Sequence, residues 1–259
     1  MKTTALITGA SNGIGLELAK VFAANNHNLV LVARSADKLE NLKTELVAEY
    51  GIDVLNMPKD LAQPGAPKEI YQTLKEKNIT IQYLINNAGF GDFGFFHETN
   101  WDKEASMIDL NVRSLTEMTK LFVRDMVANR NGRVMNLAST ASFQPGPLMA
   151  VYYATKHYVL SFSEAIANEL RDYDVTVTAL CPGPTASGFQ SASDIEDSKL
   201  VKGKKLPTSK EVAVYGYKAL MKGKRVAIHG TMNRLLAESV RFMPRNMVTK
   251  TVRKLQEKK

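Results

Sequence analysis

The stretch Thr8-Gly9-Ala10-Ser11-Asn12-Gly13-Ile14-Gly15 decides how this chain is read. It follows the apolar run Ala5-Leu6-Ile7 and precedes Leu16-Glu17-Leu18-Ala19-Lys20-Val21-Phe22, whose apolar residues recur at the spacing of a buried helix face. The order is strand, glycine turn, helix. Glycines there permit positive φ and close approach of another backbone or of a ligand. The start of the following helix offers unpaired N–H groups and a partial positive charge, which suit a pyrophosphate. A glycine-rich turn with no ligand looks the same in isolation, so the rest of the chain has to decide.

Outward from this turn, strand-like runs alternate with amphipathic helical stretches, the pattern of parallel strands joined by helical crossovers. Strands are predicted at residues 3–7, 29–33, 53–57, 82–86, 133–138, 175–180 and 226–229. They are mostly apolar rather than alternating, as expected of a sheet covered on both faces. The predicted fold class is α/β, a doubly wound parallel sheet of about seven strands in three layers. In such a sheet the ligand crevice lies at the carboxyl ends of the strands, where the glycine turn falls.

Composition bounds the alternatives. A chain of 259 residues with 44% hydrophobic and 23% charged residues can bury one substantial core, so a single domain over 1–259 is expected. No apolar run reaches the ~20 residues that span a bilayer, and a first strand starting near residue 3 leaves no room for a signal peptide. A cytoplasmic location is the expectation. One cysteine, Cys181, cannot form an internal disulfide, and four scattered histidines give no metal-ligand spacing. No metal is expected.

Two further sites carry chemistry. In Val151-Tyr152-Tyr153-Ala154-Thr155-Lys156-His157, a helix would place Tyr152 and Lys156 on one face, roughly 6 Å apart along the axis, with Tyr153 pointing elsewhere. A cation beside a phenol lowers its pKa from about 10, making Tyr152 a candidate general acid/base. The second predicted strand ends Ala33-Arg34, where a carboxylate would bond the ribose hydroxyls of NAD(H). A guanidinium there can instead bond a 2′-phosphate, so NADP(H) is favoured over NAD(H).

Taken together, the glycine turn, Asp60, Asn86-Asn87-Ala88-Gly89, Asn111, Ser139, the Tyr152–Lys156 pair and Pro182-Gly183 resemble the short-chain dehydrogenase/reductase family. The likeness runs from residue 3 to about 187, with Ser139 thirteen residues before Tyr152. It implies a Rossmann-like oxidoreductase with an Asn111-Ser139-Tyr152-Lys156 tetrad acting on a carbonyl or alcohol. Tyr152 would exchange the proton, Lys156 would lower its pKa and bond the nicotinamide ribose, Ser139 would bond the developing alkoxide, and Asn111 would support a water relay. Cofactor contacts are implied at Gly9, Ser11, Asn12, Gly13, Ile14, Gly15, Arg34, Asp60, Leu61, Asn87, Ala88, Gly89, Pro182, Gly183 and Thr185, besides Tyr152 and Lys156. Asp60 reads equally well as an N-cap of the next helix, and Asn111 as an amide satisfying a local helix kink.

Residues 186–206 are polar with little periodicity and read as a mobile loop over the site that selects the substrate. Phe93, Phe95, Phe96, Phe143, Leu148, Met149 and Phe189 are candidates for an apolar pocket, with core or interface packing as the competing account. Helices around 101–128 and 151–171 resemble the family's dimer-forming pair, so a homodimer or homotetramer is expected. A hydrolase is disfavoured because Ser139 lacks a G-x-S-x-G elbow, and a P-loop is absent. The remaining alternative is a non-catalytic dinucleotide-binding sensor or regulatory module.

The tail, about 231–259, is basic and helical in pattern. From residue 222 onward 11 Lys and Arg face two Glu, so the whole net charge of +8 lies there. Met232, Leu235, Leu236, Val240 and Met243 form one apolar stripe, Pro244 interrupts, and Val248, Val252 and Leu255 mark a second. Packing on the domain is the favoured reading of these stripes. Residues 245–259 are also a candidate for weak, salt-sensitive contact with anionic membranes that catalysis does not need. Nucleic acid is disfavoured, because no aromatics interleave the charges.

Overall fold

The computed structural model describes residues 2–193, 195, 198–199, 201–203 and 205–257. Asp194, Glu196, Asp197, Leu200 and Lys204, within 186–206, and Met1, Lys258 and Lys259 at the ends, lie outside the described residues. Seven strands, β1 (Thr4–Thr8), β2 (Asn28–Ala33), β3 (Val54–Pro58), β4 (Tyr83–Asn86), β5 (Gly132–Leu137), β6 (Val175–Cys181) and β7 (Val226–Ile228), form one sheet. Their order is β3-β2-β1-β4-β5-β6-β7 and every pairing is parallel. All seven predicted strands are present, shifted by a residue or so at their ends.

The helices are α1 (Gly13–Ala24), α2 (Ala36–Tyr50), α3 (Ala66–Glu76), α4 (Trp101–Ile108), α5 (Leu115–Ala128) and α6 (Ala150–Glu169), then α7 (Phe189–Ala192), α8 (Ser209–Met221), α9 (Thr231–Ser239) and α10 (Arg245–Gln256). Side-chain alternation sends Ala5, Ile7, Leu29 and Leu31 to one face of the sheet, where they pack with Leu18 and Phe22 of α1, Leu39 and Leu46 of α2 and Val212 and Leu220 of α8. Leu6, Val30 and Val32 go to the other face, against Ile70 and Leu74 of α3 and Met118, Phe122 and Met126 of α5. Both faces are therefore covered, which is why the strand sequences do not alternate apolar with polar. The result is a three-layer, Rossmann-like sandwich.

The chain runs outward from β1 through β2 to β3, then crosses back so that β4 pairs with β1 on its other side. The loops after β1 and β4 diverge at that point and open a crevice at the carboxyl edge. The glycine turn leaves β1 into this crevice, and Asn87-Ala88-Gly89 leaves β4 beside it.

Candidate active site

The glycine turn is built by exclusion of side chains. Gly9 has φ +66°, and a Cβ on Gly15 would lie 2.3 Å from the Gly9 carbonyl oxygen and 2.4 Å from Asn87 Nδ2. No real side chain tolerates that approach. Asn12 caps α1, its Oδ1 accepting from the Gly13 N–H at 2.8 Å, and no acidic residue occupies the helix's first turn. An anion therefore meets the dipole of α1 without a competing carboxylate.

Thr8, not singled out from the sequence, joins the two edges of the crevice. Its hydroxyl oxygen accepts from the Asn87 and Ala88 N–H groups, each at 3.0 Å, while Asn87 Nδ2 donates to the Thr8 carbonyl at 2.9 Å. A glycine is required at 89 as well: an added Cβ would lie 2.8 Å from Asn111 Oδ1 and 3.5 Å from Lys156 Nζ. Such a cradle, kept free of side chains and opening at a helix start, fits a dinucleotide.

Tyr152 and Lys156 both lie on α6 and are buried, with Lys156 Nζ 5.8 Å from the Tyr152 ring centroid. The ammonium donates to the Leu137 carbonyl at 2.7 Å, at the exit of β5. Burial pushes it down to about 8. Ser139 follows β5 and caps the short turn Thr140–Phe143, its Oγ accepting from the Ala141 N–H at 3.1 Å. Burial pushes the Tyr152 phenol up to about 12, opposed by its hydrogen bond with Ser139. This differs from the expectation of a phenol depressed by lysine, because desolvation outweighs a cation whose hydrogen bond goes to the backbone. Ser142, also unforeseen, donates to the Lys156 carbonyl at 2.7 Å and holds the Ser139 turn on α6.

Asn111 lies in a π-helical segment, Asp109–Ser114, between α4 and α5. The sequence-level idea of an amide at a helix kink matches this irregularity, a feature common at functional positions. Its side chain accepts from the Phe90 N–H at 3.2 Å, donates to the Phe90 carbonyl at 2.9 Å and donates to Thr155 Oγ1 at 3.1 Å. It thus fixes the loop after β4 to α6.

The remaining predicted cofactor residues divide. Pro182, Gly183 and Thr185 leave β6 toward the site, and Asn233 of α9 closes on Gly183 so that a Cβ there would meet its Nδ2 at 2.5 Å. Thr185 donates to the Gly183 carbonyl at 2.9 Å and its own carbonyl accepts from Gln190. Asp60 is not the N-cap of α3, which is Gly65 at φ +84°. Its carboxylate instead accepts from the Ala62 N–H at 3.0 Å in a local turn. The Leu61 side chain is buried in the core with Ile70 and Leu74, leaving only its backbone for a ligand. Arg34 is exposed just past β2, and Ser11 and Ile14 sit half-buried in the glycine turn.

Beyond Tyr152 lies an apolar cluster of Met107, Met149, Tyr153, Ile195, Phe90, Phe93 and Phe189. Leu148 and Phe96 line a small cavity with Tyr152, whereas Phe143 packs elsewhere, against Ala138 and Leu115, and Phe95 is exposed. Within 186–206 the described residues make defined contacts. They form α7, a bridge from Ala186 to Thr208, and a contact in which the Gly91 N–H donates to Ser193 Oγ at 3.2 Å.

The second apolar stripe of the tail packs on the domain, the reading its sequence favoured. Val248, Val252 and Gln256 of α10 are buried, and both valines join the cluster around Tyr152 and Tyr153. Gln256 Nε2 donates to the Tyr153 hydroxyl at 2.7 Å, Arg253 lies 4.7 Å from the Phe95 ring centre, and Lys199 pairs with Glu257 at 3.3 Å. Helix α10 is thus a wall of the site rather than a detached appendage. Cys181 is fully buried at the end of β6. Among the described residues no group of His, Cys, Asp or Glu could hold a metal, and no helix is long and apolar enough to cross a membrane.

A doubly wound sheet whose glycine cradle opens beside a half-buried serine and a buried tyrosine and lysine defines a dinucleotide-binding domain equipped for proton transfer. The short chain dehydrogenase family profile matches residues 3–197, and the chain belongs to that family. Over 181 residues it is 35% identical to a very-long-chain 3-oxoacyl-CoA reductase of Pyrenophora tritici-repentis, covering 68% of this chain and 52% of the relative. The match therefore spans about half the length of that relative. An oxidoreductase named UcpA from Escherichia coli strain K12 is 32% identical over 203 residues, 76% of each chain. Among solved structures, a short-chain dehydrogenase from Sphingobium yanoikuyae in complex with NADPH superposes with a TM-score of 0.82 at 28% identity, covering 93% of this chain and 94% of that one. A bulky-bulky ketone specific alcohol dehydrogenase from Comamonas testosteroni gives 0.79 at 28% identity, covering 93% and 92%.

Proposed function

We propose that the protein interconverts a carbonyl and an alcohol with a nicotinamide cofactor, Tyr152 serving as the proton-transfer group. The observation that carries this reading is the convergence of Ser139, Tyr152 and Lys156 beside the glycine cradle. The bound cofactor supplies or accepts the hydride. Burial pushes the Tyr152 phenol up, so it is protonated at neutral pH and its Oη can donate to a carbonyl oxygen, the same group taking the proton back in the reverse direction. Its developing negative charge is stabilised by the Lys156 ammonium on the same side of α6. Ser139 is placed to donate a second hydrogen bond to the same oxygen. Asn111 acts as a positioning residue, since both ends of its amide hold the loop after β4.

Gly9, Ser11, Asn12, Gly13, Ile14 and Gly15 would hold the pyrophosphate, Asp60, the Leu61 backbone, Asn87, Ala88 and Gly89 the adenosine side, and Pro182, Gly183 and Thr185 the nicotinamide. The absence of a carboxylate after β2, with Arg34 exposed in its place, supports NADP(H) over NAD(H). The aromatic and methionine-rich wall beyond Tyr152 supports an apolar substrate. The described chain reads as one domain that works in the cytoplasm as a homodimer or homotetramer, with a groove between α5 and α6 of about 800 Å³ available for pairing. The same reading includes weak contact of the basic tail with anionic membranes, supported by Lys250 and Lys254, which face outward on α10.

The test is a panel of aldehydes and ketones offered with NADPH and with NADH, followed at the reduced-nicotinamide absorbance. Turnover of hydrophobic ketones with NADPH is expected. Tight cofactor binding without turnover of any carbonyl or alcohol would point to the sensor alternative.

A further inference from the structure

Val240 and Met243 turn inward onto the cluster around Tyr152, and so do Val248 and Val252. The rest of the tail's first stripe does not. Met232 is 65% exposed, Leu235 63%, Leu236 57%, and Phe242, in the turn that follows, 88%. Met232, Leu235 and Leu236 fall at i, i+3 and i+4, hence on one face of α9. Helix α9 is anchored from its other side, through Ala237, which is buried, and Asn233, which closes on Gly183. An apolar helix face turned to water calls for a covering partner.

The charges say which. Arg234, Arg241 and Arg245 are exposed on the same segment, and Lys250 and Lys254 stand on the outward face of α10. Of these, Arg241 is paired with Glu238 at 3.5 Å. The tail from residue 231 carries eight basic residues against two acidic ones. A second copy of so basic a segment would be repelled, whereas exposed apolar side chains set among arginines and lysines match an anionic lipid surface. On the loop that Arg253 of α10 touches, Phe96 is also largely exposed.

We propose that the exposed face of α9, with Phe242, is a docking surface for anionic membranes, the apolar side chains entering the headgroup boundary and the basic residues meeting lipid phosphates. This deepens the membrane contact proposed above for the basic tail and does not depend on the redox reading. Since Val248 and Val252 of residues 245–259 are used inside the molecule, it places the apolar part of the contact on the element that borders Gly183. An apolar substrate dissolved in a bilayer would then reach Tyr152 without crossing water.

The experiment uses the full chain with vesicles of phosphatidylcholine and phosphatidylglycerol in equal parts, read by flotation at low and high salt without substrate or cofactor. The parent protein should float at low salt and much less at high salt or with phosphatidylcholine alone. A variant with Leu235→Glu, Leu236→Glu and Phe242→Glu should bind at least about tenfold more weakly. Lys250→Glu with Lys254→Glu, which leaves the apolar face intact, should lose much of the salt-sensitive part. Activity on a water-soluble ketone should be unchanged in both. Vesicle binding by the α9 variant equal to the parent's, or no binding by the parent at low salt, would overturn the proposal. So would a variant that changes only the sedimenting mass, which would make the face a contact between copies.

Discussion

At the scale of single residues, two adjacent tyrosines separate chemistry from architecture. Tyr152→Phe removes only the proton that the mechanism moves, so turnover should fall by roughly 100-fold or more while cofactor binding persists. Tyr153→Phe should stay active but melt earlier. It takes the partner from a Gln256 amide that is 1% exposed, an orphaning that costs about 1–3 kcal/mol. Thermal denaturation beside steady-state kinetics reads both, and a Tyr153 variant that is inactive yet stable would reverse the assignment. Lys156 adds a pH signature. Its folded pKa, about 8, lies below the unfolded value of 10.5, so the unfolded chain holds more protons between those pH values. Stability from this group therefore rises with pH across that window. Lys156→Met, which abolishes the buried charge, should melt higher than the parent at pH 7, with the gap closing toward pH 10. Arg34→Asp should reverse the order of cofactors, weakening NADPH by roughly 2 kcal/mol through loss of a charge-assisted bond. Equal use of both cofactors by the parent would remove the basis for that prediction.

At the scale of elements, the deciding case is α10. A chain ending at Pro244 loses the burial of Val248 and Val252 and the Gln256 bond to Tyr153, together about 3 kcal/mol or more. It should melt lower and lose most of its turnover, and full activity in that shortened chain would refute α10 as a wall of the site. The sequence showed an amphipathic helix there but not where its apolar face goes, because periodicity reports a stripe and not the surface that receives it. The same limit explains why the contact of Gly91 with Ser193, 102 residues apart in sequence, was not foreseen. The strands were legible because each is an apolar run bounded by turn residues. Tyr152, Lys156 and Ser139 were legible because their spacing is local or family-like. Thr8, Ser142 and Gln256 were not, since a lone hydroxyl or amide says nothing about a partner that only the fold brings near. Asp60 looked like a helix cap because the helix after it was placed too early.

At the scale of the whole molecule, the outer side of α5 and α6 is left open. Tyr158 and Phe162 stack there with ring centres 5.8 Å apart, and Tyr158 is exposed. If copies pair across this face, Tyr158→Asp should shift the sedimenting mass toward a single chain while leaving the fold intact. An unchanged mass would place the contact elsewhere. The position of α10 also sets an order of events during synthesis. All seven strands precede Arg245 in the chain and emerge from the ribosome before it, so the sheet and its cores can begin to form while the pocket still lacks a wall. A nascent chain at that stage would carry its cofactor cradle complete and its substrate pocket open on the side of Tyr153. Maturation of the two halves of the site is thereby separated in time, with the hydride donor able to seat before any carbonyl can be held against it.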